Sequence, residues 1–104
     1  MTSASIRHLQ NLQALLEALT SEGIEMEGYQ YDGVSFNEFT LVLAKDHTKV
    51  RFAWDGRESI LTVELQKVQN GAIFGNWEHD AFIQVPSVDA VFGEIGSNAE
   101  AMLQ

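Results

Sequence analysis

Three turn signals, read together, constrain this chain more than any other feature. Asp55-Gly56 is a strong two-residue hairpin dipeptide. A hairpin there pairs Trp54 with Arg57, Phe52 with Ser59 and Val50 with Leu61. A turn at Asp46-His47 pairs Leu43 with Val50, Leu41 with Phe52 and Phe39 with Trp54. A turn at Asp32-Gly33 pairs Met26 with Phe39 and Ile24 with Leu41. All three assignments put Ile24, Met26, Phe39, Leu41, Leu43, Val50, Phe52, Trp54, Leu61, Val63 and Leu65 on one face. Strand side chains alternate between faces, so a slip of one residue at any turn breaks that agreement.

The same alternation assigns the opposite face. Glu25, Glu27, Glu38, Glu58 and Glu64 fall there with Lys49 and Arg51. So do Tyr29, Tyr31, Val34 and Phe36 at the tip of the first hairpin. In this register Glu27 lies across from Glu38, a like-charge pair that a cation or a partner's Lys or Arg would relieve.

Helices flank the meander. Ile6, Leu9, Leu12, Leu16 and Leu19, with Leu15 beside them, predict an N-terminal helix whose stripe faces the core. Ser3 or Ser5 caps its start and Gly23 stops it. A second helix is predicted after Pro86, with Ser87 as cap and Val88, Val91, Phe92 and Ile95 as its stripe. Gly93 and Gly96 weaken it, and Ser97-x-x-Glu100 reads as a capping box that restarts a final turn. The expectation is a single α+β domain over residues 1–104, with a meander of four or five strands and both helices on one sheet face.

The densest reactive chemistry is Asn76-Trp77-Glu78-His79-Asp80. On a strand, Trp77 and His79 point opposite to Glu78 and Asp80, so these neighbours do not converge on one metal. A three-residue loop at Gln69-Asn70-Gly71 pairs Trp77 with Val63 in the core, leaves His79 at the core margin near Leu61, and leaves Glu78, Asp80 and Phe74 outside. The alternative two-residue loop places Trp77 opposite Glu64 on the wet face. His8, in the first helical turn, and His47, in a hairpin turn, are weaker candidates. No nucleophile–base pair, G-x-S-x-G elbow or phosphate-cradling glycine loop is present.

Charge narrows the partner class. Fifteen acidic and six basic side chains leave a net charge of −9, and no base lies between Glu17 and Glu38. Such a surface disfavours nucleic acid and anionic membranes and favours a basic protein. The chain has no cysteine, no basic and apolar leader at its start, and no apolar run of bilayer length, so it reads as cytoplasmic. The functional expectation is a non-catalytic protein-binding module of adaptor, inhibitor, immunity or chaperone type. Its binding surface is expected at Tyr29, Tyr31 and Phe36 with Glu25, Glu27 and Glu38, with no cofactor and with a homodimer also compatible. The competing reading is a small-molecule or metal-binding domain, or an enzyme, centred on His79 with Glu78 or Asp80.

Overall fold

The structure, a computed structural model, describes residues 3–32, 38–69 and 73–103. Helix α1 (Ser3–Thr20) leads into β1 (Glu25–Asp32), β2 (Glu38–Lys45), β3 (Thr48–Asp55), β4 (Ile60–Gln69), β5 (Ile73–Phe74) and β6 (Glu78–Gln84). Helix α2 (Val88–Leu103) closes the chain. The sheet is an antiparallel meander in the order β1-β2-β3-β4-β5, and β6 also pairs with β4. Both helices lie on one face and pack on each other, α1 contacting β1 and α2 contacting β2 and β3. The fold is α+β, with a single layer of helix over a single sheet.

The core forms where the apolar strand faces meet the helices. Leu41, Leu43, Val50, Phe52, Leu61 and Val63 are fully buried with Val91, Ile95 and Ala99 of α2. The Asp46-His47 turn has the expected two-residue form, with Lys45 opposite Thr48 and Asp46 at positive φ. Gly23 ends α1 at a φ of 81°. There Ile24 N–H bonds to Leu19 C=O and Gly23 N–H to Thr20 C=O, so two orphan carbonyls are satisfied in a Schellman cap.

Four expectations need correction. The hairpin after β3 is longer than Asp55-Gly56 alone: Asp55 pairs with Ile60, so Trp54 faces Leu61 instead of Arg57. The Asp55 carboxylate accepts from the N–H groups of Arg57 and Glu58, which favours this wider turn. Because the register moved by an even number of residues, the core set is unchanged.

The first hairpin also differs, and here the faces invert. Asp32 pairs with Glu38, Tyr31 with Phe39 and Tyr29 with Leu41. Tyr29 and Tyr31 therefore lie on the helix-covered face and pack against the core. A bulge at Glu27 returns Met26 to a position opposite Leu43. Burying two aromatic rings outweighs a tight turn. The Asp32-Gly33 turn itself, with Val34 and Phe36, falls at or beyond the end of the described residues.

Helix α1 is rotated relative to the expected stripe. His8, Leu12 and Leu19 are buried, whereas Ile6 and Leu9 are exposed. Helix α2 runs unbroken through Gly93, Gly96 and Ser97, so the restart at Ser97 does not occur. A Cβ on Gly96 would lie 3.3 Å from Leu15 Cδ1, so the bare glycine is where α1 and α2 approach closely.

Candidate functional site

With both helices on one face, the other face of the sheet has no covering element among the described residues. Its side chains are those of alternate strand positions. One row across it runs Gln30, Thr40, Ala53, Thr62 and Phe82. The next row toward one end brings together Asp32, Glu38 and Asp55. Small residues in the first row leave a depression of about 640 Å³ between the carboxylates and the centre of the sheet.

Toward the other end lies an ordered aromatic and charged group. Arg51 pairs with Glu64 across β3 and β4, its Nε and Nη2 each 2.8 Å from Glu64 Oε1. The guanidinium, held flat by that carboxylate, lies 4.5 Å from the centre of the Trp77 ring. His79 sits opposite Glu64, and its ring centroid is 4.2 Å from that of Phe82. Phe82 is 70% exposed, more than any other large apolar side chain described.

These positions correct the expectation for Asn76-Trp77-Glu78-His79-Asp80. Trp77 is not paired with Val63 in the core; Ala81 takes that place, and Trp77 lies half-buried on the open face over Arg51. His79 is not beside Leu61 but opposite Glu64, while Glu78 opposes Leu65 on the other side of the strand. A bulge at Asp80 causes the shift, moving the strand's faces by one position. Among the described residues no three His, Asp or Glu side chains gather as a metal site. The side chains of Phe74 and the residues Asn70 and Gly71 fall outside what is described.

The expected partner-binding residues divide. Glu38 and Glu25 lie on the open face, Glu25 at its edge opposite Ala44. Glu27 also points there, its carboxylate 3.2 Å from Lys49 Nζ, so it faces a base and not Glu38. Tyr29 and Tyr31 are brought together elsewhere, around a residue that the sequence offered only as a weaker candidate. Among the described residues His8 is the one buried polar side chain, its Nε2 bonded to the Tyr29 hydroxyl. Its ring stacks on Tyr31 and meets Phe39 and Phe92 edge-on at 5.0 and 5.3 Å. Burial pushes the Tyr29 hydroxyl up to about 12, with Tyr31 adding to it, and lowers the pKa of His8. The available signal was spacing: His8 is four residues before Leu12 and eleven before Leu19.

Burial favours the neutral forms of His8 and Tyr29 on the helix-covered face, which suits packing. The open face instead offers the exposed Phe82 and the half-buried Trp77 near Glu64, with the row of Asp32, Glu38 and Asp55 toward the other end. Among the described residues no helix is long and apolar enough to cross a membrane. Comparison with known proteins finds no matching family model, no matching curated protein and no matching solved structure.

Proposed function

We propose that the protein is a non-catalytic binding module whose open sheet face receives a basic protein partner. The observation that carries this reading is the placement of both helices on one face, which leaves Phe82 and Trp77 on the other. Contiguous exposed apolar patches, unlike single apolar side chains, mark interaction sites, and here the Phe82 ring is joined by that of His79 at 4.2 Å with Trp77 on the same face. Aromatic anchors, with Arg51 fixed beside them, are the residue types that concentrate binding energy. The row of Asp32, Glu38 and Asp55, together with a net charge of −9, supplies the attraction for Lys and Arg. Relative to the sequence-based expectation, the acidic element stays at Glu38 and the aromatic element moves from the tyrosines to Trp77 and Phe82.

The test is affinity capture from host lysate with the wild-type chain and a Phe82→Ala/Trp77→Ala double variant, each at low and high salt. The expected result is a basic protein retained by the wild type, weakened by salt and lost with the variant. Equal capture by both chains overturns the assignment to this face.

A further inference from the structure

The two halves of α1 are held to the rest of the protein in different ways. Among residues 6–11, Ile6, Arg7, Leu9 and Gln10 are exposed, Asn11 is half-buried, and His8 alone is buried. The next buried residue is Leu12. From there on Leu12 and Leu19 belong to the core, Leu15 and Leu16 pack against it, and Leu15 approaches Gly96 of α2. The Schellman cap at Gly23 secures that end. The second half of the helix thus has a row of apolar anchors, whereas the described part of the first half is latched by one imidazole.

The surroundings of that ring suit only its neutral form. The titratable groups that face it are the phenols of Tyr29 and Tyr31 on β1. Strand β2 contributes Phe39 and helix α2 contributes Phe92, and among the described residues no carboxylate pairs with the ring. With Nε2–H donating to Tyr29, neutral His8 leaves a lone pair at Nδ1, an atom that is buried and without a partner. Protonation puts a charged N–H at that atom with no acceptor to receive it, the more costly kind of unsatisfied group. Stacking on Tyr31 offsets part of this, but burial disfavours the charged ring. We infer that His8 is an acid-released latch: taking up a proton undocks the first two turns of α1, while the second half of the helix, α2 and the sheet stay packed. Two turns without tertiary contact are too short to remain helical, so they fray. Their release uncovers Tyr31, Phe39 and Phe92 and returns the Tyr29 hydroxyl to water. The device lies on the other side of the sheet from Phe82, so either proposal can fail alone.

Amide hydrogen exchange, corrected for the pH dependence of the chemical step, separates local release from global unfolding. In the wild type, protection of the Arg7–Leu12 amides is expected to fall roughly tenfold per pH unit below 6.5 and to level off where the docked ring itself titrates. Amides of β2, β3 and α2 keep their protection over the same range. His8→Phe removes the pH dependence at Arg7–Leu12. A His47→Gln/His79→Gln double variant, which leaves the latch intact, retains it and reports on His8 even where His8→Phe does not fold. Three results overturn the proposal: protection at Arg7–Leu12 that does not change with pH, a loss that runs in step with β2, β3 and α2, or a loss that persists in His8→Phe or disappears in the double variant.

Discussion

His8 of α1 stacks on Tyr31 of β1 with ring centroids 4.0 Å apart and an interplanar angle of 17°. The contact ties the first helix to the edge strand through a titratable ring. The other side of the imidazole is closed by Phe39 and Phe92, which stack on each other at 5.4 Å. Neither His8 Nδ1 nor the indole N–H of Trp54 has a partner among the described residues.

A pH dependence of stability follows. Burial lowers the pKa of His8 from its ordinary 6.5, so the unfolded chain takes up the proton first as pH falls. The contribution of neutral His8 is complete above 6.5 and is lost as pH drops through the folded value. Melting temperature is expected to hold steady above about pH 7 and to decline below it. A His8→Phe variant flattens that decline. At the alkaline end Tyr29 acts oppositely: its raised pKa makes stability fall as pH rises from 10.0 to about 12, and Tyr29→Phe removes that loss.

Two phenylalanines of one sheet should behave differently. Phe52 is fully buried and Phe82 is mostly bare. Phe52→Ala is expected to cost about 3–5 kcal/mol in denaturant unfolding. Phe82→Ala is expected to stay within about 0.5 kcal/mol of the wild type.

The glycines of α2 offer a third contrast. Nothing lies within 4 Å of a Cβ placed on Gly93, so Gly93→Ala should stabilise the helix by up to about 1 kcal/mol. Gly96→Ala gains less, or loses, because Leu15 Cδ1 at 3.3 Å must move. Paired thermal melts of the two variants check the order.

Gly23 carries the positive φ of the α1 cap. Gly23→Ala retains ample room, its nearest neighbour being Lys45 Cε at 3.6 Å, so strain of the backbone decides the outcome. A loss of about 1 kcal/mol is expected in equilibrium unfolding.

The Arg51 guanidinium over Trp77 has an optical readout. Removing it in Arg51→Ala uncovers one face of the indole. Trp77 emission should shift to the red and become more open to acrylamide quenching, while Trp54, 4% exposed, contributes a protected fraction. An unchanged spectrum would show that Trp77 does not depend on Arg51 for its cover.

Much of the layer arrangement was legible in the residues. The meander, the Asp46-His47 turn, the two helices and their common sheet face follow from apolar period and turn chemistry. The candidate site was less legible. Trp77 precedes the bulge at Asp80, and a bulge shifts faces without leaving a reliable mark in sequence. In α1, leucines at positions 9, 12, 15, 16 and 19 cover two adjoining faces, so their spacing alone does not select the one that is buried.

The sequence by itself determined that β2, β3 and β4 share an apolar face, since alternation in steps of two survives any even change of register. The β3–β4 pairing moved Leu61 from Val50 to Trp54 and kept every core residue on its side. Only the tertiary structure decided the odd changes. A longer first loop turned Tyr29 and Tyr31 inward, and the Asp80 bulge placed Trp77 and His79 outward. At the bulge Trp77 packs on Arg51 of the open face, whereas in the first hairpin the parity adopted buries the aromatic area of Tyr29 and Tyr31 against α1. That area exists only once the helices are packed on the sheet.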